Sequence, residues 1–406
     1  MHAILAGKRV IELGTMLAAP FAAHVLAQLG AEVIKVEPPI GDPTRKMVRG
    51  GPGGTLIAYS RGKKSICIDL KTAEGQAVLA KLVAATDIVV HNLAPQSARR
   101  LNVTYEQCRR SNPELVYCHI QGYGPGPRAD ELASNPIIEA ATGVMHDHRI
   151  DGRPSRLGPS YHDQFAGLYA VIGILAALDA QPGERLVEVG LYEAGLHVAA
   201  RDLAGFQLKE QIGVEPTGDG GGEFAMPGYG AYETADGRWM YLIMLTDAHW
   251  SKFCHALALA EGKAEAFATI RGRKRERPQV EEIVRNAIRA LTYDQAAARL
   301  QAVGFGFTEV KAGMDVLKEP QSQQPGKLAR FAFGGFHFAM PNLPLPCQLA
   351  TSETELPPPL LGEHTIEIMR AIGFTDSECA AFTASGAVVV AEGGPKWAPP
   401  RERHVS

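Results

Sequence analysis

The residue of this sequence best suited to chemistry is Asp163, which stands just ahead of a long uncharged segment. No charged residue occurs in residues 164–178, and this run, QFAGLYAVIGILAAL, has no polar stripe at helical spacing. The pattern predicts a helix buried on every side and too short to span a membrane, with Asp163 in its first turn. Free backbone N–H groups and the helix dipole favour negative charge there, so we expect Asp163 to be ionised.

Two roles fit a carboxylate in that position. An ionised carboxylate on a rigid helix can act as a nucleophile toward an activated acyl group. Aspartate is also a preferred N-terminal cap of helices, and most capping aspartates have no further role. This segment alone therefore favours the capping interpretation.

A second candidate is the His- and Arg-rich segment HDHRIDGRPSR, residues 146–156. Such a run is either a solvated loop or a cationic collar that attracts an acidic substrate toward Asp163. The two interpretations are equally supported by the residues. The collar would use three arginines: Arg149, Arg153 and Arg156.

Composition and charge exclude several classes of function. The chain has 406 residues, 46% hydrophobic and 21% charged, an ordinary balance for a globular protein with a large core. The formal net charge of -3 argues against nucleic-acid binding. The six cysteines are scattered without a CxxC or His/Cys cluster, so neither a metal site nor a disulfide framework is predicted. The N-terminus MHAILAGKRVIEL carries no secretory signal, and we expect a reduced, cytoplasmic protein that does not bind membranes.

The segments around Asp163 alternate between predicted strands and helices. Strands are predicted at residues 9–13, 32–36, 65–70, 87–91, 115–120 and 184–191, with helical patterns between most of them. This alternation predicts an α/β fold with a doubly wound, mainly parallel, Rossmann-like sheet. The loop after the first strand, GTMLAAP, lacks the GxGxxG glycines, which disfavours a dinucleotide-dependent enzyme.

The composition changes at the glycine-rich stretch TGDGGG, residues 217–222. Beyond it, residues 228–244 alternate like two antiparallel strands, and helical patterns follow. We therefore predict a large α/β domain over residues 1–221 and a smaller α+β domain over residues 222–325. Residues 326–406 are predicted to return to the large domain and to end in a loose tail.

Several blocks, taken in order, resemble the class III CoA-transferases, the CaiB/BaiF-like family of formyl-CoA transferase and of carnitine and bile-acid CoA-transferases. The opening LAGKRVIELGTMLAAPFAAHVLAQLGAEVIKVEPPIGDPTR is similar to the first β-α-β unit of that family. RGKKSICIDLKTAEG, DIVVHNLAPQSARRL and PPPLLGEHTIEIM are similar to three later blocks. The resemblance covers the chain from Leu5 to about Ala387 and implies a dimer of two interlocked chains.

The resemblance also implies a role for Asp163, because the nucleophile of this family is an aspartate one turn ahead of a buried, Gly- and Ala-rich helix. It implies ping-pong chemistry through an aspartyl anhydride and an aspartyl-CoA thioester, which moves CoA from an acyl-CoA to a free carboxylic acid. A glycine loop that excludes water would protect the anhydride from hydrolysis. The candidate lid glycines are Gly218, Gly220, Gly221 and Gly222.

A coenzyme A pocket is likewise implied by the resemblance, at Ile68, Lys71, Asn92, Leu93 and Arg100. Two of these residues are cations suited to the phosphates of CoA, which enters as a thioester substrate and not as a permanently bound cofactor. The arginine cluster of residues 146–156 favours a dicarboxylate as the second substrate. Leu17 and Pro38 differ from the residues of formyl-CoA transferases, so a formyl or oxalyl substrate is not indicated.

Two alternatives to this transferase are open. α-Methylacyl-CoA racemases resemble the same N-terminal blocks, but they pair the aspartate with a histidine, because proton exchange on both faces of a carbon needs two bases. Ser134 occupies that histidine position and is not a base near neutral pH, so the racemase ranks second. His162, beside Asp163, is expected to pack or to orient the loop. The third reading is a non-catalytic subunit of a heteromeric transferase, against which the retained Asp163 argues.

Overall fold

The computed structural model describes residues 3–181, 183–213, 226–345 and 355–397. Its strands, in chain order, are β1 Arg9–Glu12, β2 Glu32–Glu37, β3 Lys64–Ile68, β4 Ile88–His91, β5 Val116–Gln121, β6 Arg149–Ile150, β7 Arg153–Pro154, β8 Leu186–Gly190, β9 Gly230–Glu233, β10 Trp239–Leu242, β11 Phe307–Glu309, β12 Leu328–Phe333, β13 Phe336–Pro341 and β14 Val388–Val389.

The helices are α1 Ala18–Gln28, α2 Gly54–Tyr59, α3 Ala73–Ala84, α4 Pro95–Arg100, α5 Tyr105–Ser111, α6 Asn135–Ala141, α7 Val144–Asp147, α8 Tyr161–Ala177, α9 Leu191–Val198, α10 Ala200–Ile212, α11 Asp247–Ala256, α12 Ile270–Arg275, α13 Arg277–Arg289, α14 Tyr293–Ala302, α15 Thr365–Ala371 and α16 Asp376–Ala384. Short 3-10 helices occur at Pro43–Lys46, Glu261–Lys263, Glu265–Phe267 and Gly313–Lys318.

The central feature is a seven-stranded sheet of order β14-β3-β2-β1-β4-β5-β8. Every pairing from β3 to β8 is parallel, and β14 adds an antiparallel edge strand. The predicted doubly wound, mainly parallel α/β fold is therefore confirmed. The sheet lies between two apolar layers, because successive residues of a strand point to opposite faces. Val10 packs with α1 and α8 on one face, whereas its neighbour Ile11 packs with α3 and α15 on the other.

The strand order reverses its direction of growth between β1 and β4. In open α/β sheets, ligands bind in the crevice that such a reversal leaves at the carboxyl ends of the strands. The loops that follow β1 (residues 13–17) and β4 (residues 92–94) form the two sides of this position, which we call the switch-point crevice. A helix that precedes a parallel strand runs opposite to it, so the N-terminus of α8, ahead of β8, lies at the same edge of the sheet.

Helix α8 packs closely on α1 through Gly167. A Cβ atom at this glycine would lie 2.8 Å from Phe21 Cδ1 and 3.1 Å from the Ala18 carbonyl oxygen. The prediction that α8 is buried on every side is wrong for the single chain, because Leu168 is 40% and Ile172 is 61% exposed. The helix therefore has one face in the core and a second apolar face that the described part of this chain leaves exposed.

The chain divides into two compact units, of which the second comprises Ala200–Glu319. This unit contains the antiparallel sheet β11-β10-β9 and an apolar cluster that includes Trp250, Phe253, Val284 and Leu300. The first unit consists of the residues before Ala200 and those from Pro320 onward. The domain boundaries predicted at residues 221 and 325 concern units that fold independently. The division into compact units does not test independent folding, so these boundaries stay predictions.

Among the described residues, no helix has both the length and the hydropathy that crossing a membrane requires.

Gly167 gives a test of the α1–α8 packing. Gly167→Ala is expected to lower the free energy of unfolding by about 1–3 kcal/mol, because the added methyl group overpacks a contact with backbone. Gly205→Ala in α10 is the matched control, since a Cβ at Gly205 meets no atom within 4 Å. Alanine there is expected to stabilise by up to about 1 kcal/mol. Denaturant unfolding of the two variants measures both effects, and equal responses would contradict the packing.

Candidate active site

Asn92 joins the two sides of the switch-point crevice. Its Oδ1 accepts a hydrogen bond from the backbone N–H of Thr15 at 2.9 Å, and its Nδ2 donates to the Thr15 carbonyl oxygen at 2.9 Å. The backbone at Gly14 is also closely packed, because a Cβ atom there would lie 2.5 Å from Ala19 Cβ. The amide of Asn92, a predicted CoA residue, therefore shapes the crevice through backbone contacts.

Beneath the first loop lies a group of buried ionic side chains, Glu12, Lys35, Asp42 and Lys63, which we call the buried charge cluster. Glu12 bridges the two lysines, with Oε1 at 2.7 Å from Lys35 Nζ and Oε2 at 2.5 Å from Lys63 Nζ. Asp42 Oδ2 lies 3.0 Å from Lys35 Nζ. These side chains are at most 3% exposed. Because a buried charge must be paired, the cluster persists only as a complete set.

Both lysines of the buried charge cluster also hold the loop after β1. Lys35 Nζ donates to the Gly14 carbonyl oxygen at 3.0 Å, and Lys63 Nζ donates to the Pro20 carbonyl oxygen at 2.8 Å. Burial lowers the pKa of Lys63 to about 8 despite the attraction of Glu12. Burial also opposes the charge of Lys35, but Glu12 and Asp42 raise its pKa on balance. The loop is thus anchored at Gly14, and the first turn of α1 that follows it is anchored at Pro20.

Leu93 is fixed by two buried histidines. Its backbone N–H donates to His91 Nδ1 at 3.2 Å, so the proton of His91 is on Nε2, which lies 2.5 Å from Tyr117 Oη. The Tyr117 hydroxyl in turn donates to the Val103 carbonyl oxygen at 2.6 Å. His119 Nε2 lies 2.9 Å from the Leu93 carbonyl oxygen. Burial lowers the pKa of both histidines, which keeps the rings neutral at physiological pH.

The remaining predicted CoA residues lie at the carboxyl ends of β3 and β4 but differ in exposure. Ile68, the last residue of β3, is 1% exposed, and its side chain belongs to the apolar core. Lys71 is exposed beyond β3, and Arg100 is exposed at the end of α4, where Nη2 lies 3.4 Å from Ser97 Oγ. The two cations are therefore accessible to a ligand, whereas the side chain of Ile68 is not.

Asp163 lies in the first turn of α8, and the residue that caps this turn comes from another helix. The Ser160 side chain makes no capping hydrogen bond. Instead, Asn135 Oδ1 accepts from the backbone N–H of His162 at 3.0 Å and of Asp163 at 3.4 Å. Asn135 Nδ2 donates to Glu139 Oε1 at 2.5 Å. Asn135 and Glu139 are both buried, so the backbone at Asp163 is bound by an internal polar pair.

The electrostatics of Asp163 differ from the expectation. Burial raises the pKa of Asp163 to about 6, against an opposing effect of Arg156 and with a further increase from the negative charge of Glu139. Desolvation thus outweighs the helix terminus, which was expected to stabilise the ionised form. At pH 7 most Asp163 carboxyls are still ionised, but the carboxylate is more basic than an ordinary aspartate.

The arginine cluster is split by the structure. Arg149 Nε donates to the carbonyl oxygen of His146 in α7, and Nη1 donates to that of Gly152 in the β6–β7 hairpin, each at 2.9 Å. Arg153 is exposed on β7. Arg156 Nε lies 4.0 Å from Glu139 Oε1, and its charge lowers the pKa of Asp163. Of the three predicted arginines, Arg156 is the one whose charge acts on the Asp163 carboxyl.

His162 and Ser134 bear on the racemase alternative. His162 is 4% exposed, and its Nε2 lies 3.2 Å from the Thr142 hydroxyl oxygen. Burial lowers its pKa, and a Cβ on Gly195 would lie 2.4 Å from its Cδ2. His162 is therefore a packed, neutral ring, as expected. Ser134 precedes α6 and its side chain makes no capping hydrogen bond.

Asn135 and Glu139 were missed in the sequence. A signal for them exists in NPIIEAATG, where two polar residues four positions apart interrupt an apolar stretch and fall on one face of a helix. The predicted lid residues Gly218, Gly220, Gly221 and Gly222 lie outside the described residues. Within the described ranges, no group of three or more His, Cys, Asp and Glu side chains is arranged to hold a metal ion.

Comparison with known proteins identifies the family. The model of CoA-transferase family III matches residues 5–365. A succinyl-CoA–D-citramalate CoA-transferase of Chloroflexus aurantiacus is 30% identical over 93% of this chain and 96% of its own length. A succinate–glutarate CoA-transferase of Agrobacterium fabrum is 31% identical over 90% and 94%. The crystal structure of a CaiB/BaiF family protein from Brucella suis matches 92% of this chain and 100% of its own, with 27% identity and a TM-score of 0.79.

The chain belongs to CoA-transferase family III, and the resemblance found in the sequence is confirmed. It is an enzyme of this class, which moves CoA from an acyl-CoA thioester to a free carboxylic acid.

The raised pKa of Asp163 predicts a pH-dependent effect on stability. Between the unfolded pKa of about 4 and the folded pKa of about 6, the folded state binds more protons, so ionisation of Asp163 destabilises it as pH rises. Two pKa units correspond to roughly 3 kcal/mol, which solvent contact reduces to about 1–2 kcal/mol. Asp163→Asn is therefore expected to raise the free energy of unfolding by about that amount at pH 8 and by nothing below about pH 4.

Denaturant unfolding of wild type and Asp163→Asn at pH 8 and at the lowest pH that both tolerate measures this difference. A gain of equal size at both pH values would mean that ionisation of Asp163 is not its source.

Proposed function

We propose that Asp163 is the nucleophile of this CoA-transferase. The observation that carries the proposal is a half-buried carboxylate with a pKa of about 6, placed by α8 at the ligand-binding edge of the sheet. Loss of solvation and higher basicity both increase the reactivity of a carboxylate toward a thioester carbonyl. A capping role does not explain this placement, because Asn135 caps α8 and Asp163 does not.

The chemistry then proceeds in four balanced steps. The Asp163 carboxylate attacks the donor thioester, the C–S bond breaks, and CoA thiolate leaves a mixed anhydride on Asp163. The thiolate attacks the Asp163 carbonyl carbon, which releases the donor carboxylate and forms an aspartyl-CoA thioester. The acceptor carboxylate displaces CoA thiolate from this thioester as a second anhydride. The thiolate then attacks the acceptor carbonyl, and the Asp163 carboxylate is regenerated without water or a redox partner.

The switch-point crevice is the proposed CoA site. Exposed cations beyond β3 and β4, Lys71 and Arg100, are suited to the phosphates of CoA. Asn92 and Leu93 contribute a crevice wall whose backbone is held rigid by Thr15, His91 and His119. Ile68 supports this wall from the core and is not proposed to contact the ligand with its side chain.

We propose a dicarboxylic acid as the acceptor, with Arg156 as the partner of its distal carboxylate. Arg156 is half-exposed, and the charge of its guanidinium acts on Asp163. The relatives from Chloroflexus and Agrobacterium carry the names of succinyl, citramalate and glutarate substrates, all with two carboxyl groups. Arginine binds carboxylates in a bidentate geometry, which suits this role.

The proposed assembly is a homodimer, with a heteromer of two related chains as the alternative. The apolar residues Leu168 and Ile172, exposed on the helix that carries Asp163, support a second chain at this face.

For the compartment, we propose the cytoplasm. Cys67, Cys108, Cys118, Cys254 and Cys379 are buried free thiols, as is usual in reducing surroundings.

Replacement of the nucleophile tests the activity. Asp163→Asn is expected to reduce turnover of succinyl-CoA with a panel of acids by several orders of magnitude, because the amide cannot form the anhydride. Binding of CoA, measured by calorimetry, is expected to stay near the wild-type value. Hydroxylamine is expected to trap wild-type enzyme at Asp163 in the presence of acyl-CoA, as a hydroxamate detected by mass spectrometry.

Asp179→Asn, at the exposed residue just beyond the opposite end of α8, is the matched control and is expected to behave as wild type. Full turnover by Asp163→Asn would contradict the assignment of Asp163 as the nucleophile. Exchange of solvent deuterium into the α-carbon without any acceptor acid would favour the racemase.

Acceptor selectivity tests Arg156. Arg156→Gln is expected to raise KM for succinate or glutarate about tenfold or more while it leaves KM for a monocarboxylic acid such as butyrate nearly unchanged, because one charge-assisted contact is worth about 1.5–3 kcal/mol. Arg149→Gln is the control, since the Arg149 guanidinium is held by the backbone carbonyl oxygens of His146 and Gly152. Equal losses for both classes of acid would exclude a contact with the distal carboxylate.

A further inference from the structure

The start of α8 depends on a side chain from α6. A helix N-terminus normally uses the residue ahead of its first turn as a cap, and substitution of that cap weakens the turn. Here Ser160 makes no such bond, and one oxygen of Asn135 accepts from the N–H groups of His162 and Asp163. The backbone that carries Asp163 is therefore held by a residue 28 positions earlier in the chain.

Glu139 determines which way the Asn135 amide points. A carboxylate can only accept hydrogen bonds, so the Asn135 atom that faces Glu139 must be the donor Nδ2. This leaves Oδ1 directed at α8, where acceptors are needed. If Glu139 offered a donor instead, the amide would rotate, and its NH2 group would face the N–H groups of α8.

The pair also holds the segment that leads into α8. Glu139 Oε2 accepts from the backbone N–H of Leu157 at 3.3 Å, and Glu139 Oε1 lies 4.0 Å from Arg156 Nε. Glu139 is 1% exposed and Asn135 is 3% exposed, so solvent cannot easily replace these contacts. One buried carboxylate thus connects α6, the segment before α8 and, through Asn135, the first turn of α8.

We propose that Asn135 and Glu139 are positioning residues for Asp163: the polarity of their hydrogen bond sets the cap of α8 and so the placement of the reacting carboxylate. The proposal rests on the function proposed for Asp163, but it concerns a structural device that is measurable without turnover. Neither residue is assigned contact with substrate.

Charged and titratable groups lie on α8 and on neighbouring elements of the first unit. Glu139 on α6 and Arg156 before α8 act on it as charges. His162 on α8 and His24 on α1 have a pKa lowered by burial and are neutral rings. Tyr59 on α2 is bound by the amide of the adjacent Gln164 at 3.0 Å.

A swap of donor and acceptor separates hydrogen-bond polarity from charge. Asn135→Asp removes the amide donor and brings two buried carboxyl groups together, which must share one proton or move apart, and we expect about 10- to 100-fold loss of kcat with KM for acyl-CoA little changed. Glu139→Gln keeps an acceptor oxygen for Asn135 but removes the charge, and we expect nearly full kcat with titration of Asp163 at lower pH. The double variant Asn135→Asp with Glu139→Gln restores one donor and one acceptor in reversed order and is expected to recover most of the lost activity.

Two readouts are taken on each variant, kcat and the titration of the Asp163 carboxyl by 13C NMR of protein labelled at aspartate Cγ, with Asp163→Asn to assign the signal. Glu131→Gln, at an exposed carboxylate paired with Arg128, is the matched control for charge removal and is expected to change neither readout. Failure of the double variant to exceed Asn135→Asp in kcat, or an unchanged Asp163 titration in both single variants, would overturn the proposal. Turnover by Asp163→Asn would instead overturn only the nucleophile, because the carboxyl titration still reports the placement of Asp163.

Discussion

The switch-point crevice depends on the buried charge cluster of Glu12, Lys35, Asp42 and Lys63. Removal of four charges from water is costly, and an apolar set of equal volume is often at least as stabilising. Such a set, however, could not donate to the carbonyl oxygens of Gly14 and Pro20, which the two lysines hold. The cluster therefore gives the loop a defined shape at some cost in the stability of the folded state. Removal of one member would leave its partners buried and unpaired, which explains why the cluster acts as a unit.

The candidate active site likewise depends on charged and polar side chains that are withdrawn from water. Burial makes the Asp163 carboxylate more basic, and Arg156 and Glu139 adjust this effect in opposite directions. Asn135 supplies the cap that would otherwise come from Ser160, the residue before α8, and the Asp163 carboxylate makes no hydrogen bond to its own helix. A site that keeps a partly desolvated charge is less stable than one with a neutral side chain, as expected where reactivity is required.

Much of the fold was predictable, because strands buried on both faces read as short apolar runs, and the helices between them have their own periodicity. The strand predicted at residues 184–191 is Leu186–Gly190, and the one at residues 87–91 is Ile88–His91. The two-residue edge strand β14 was missed although it lies in the short apolar run AVVVA, residues 387–391. Asp163 was found from its position before an uncharged run, which is a local signal. The roles of Asn135, Glu139 and the buried lysines were not predictable, because each depends on a partner between 18 and 51 positions away whose position only the folded chain defines.

The prediction that was wrong and the one that was left open also have physical causes. The absence of polar residues in α8 predicted complete burial, but burial of an apolar face requires a cover, which the described residues of this chain do not supply. The arginine-rich segment gave equal support to a loop and to a collar, and the structure divides its members between a small hairpin and the neighbourhood of Asp163.

Met16 lies in the loop after β1, between the anchored residues Gly14 and Pro20, with φ at 61°, and the residue is 43% exposed. A residue with a Cβ atom pays roughly 1–2 kcal/mol for this left-handed backbone, so the conformation persists only while its surroundings impose it. Lys35, Asn92 and Lys63 impose it here through Gly14, Thr15 and Pro20. The entrance of the crevice therefore contains a strained residue, and loss of any one of these three restraints is expected to let the Met16 backbone relax to a negative φ.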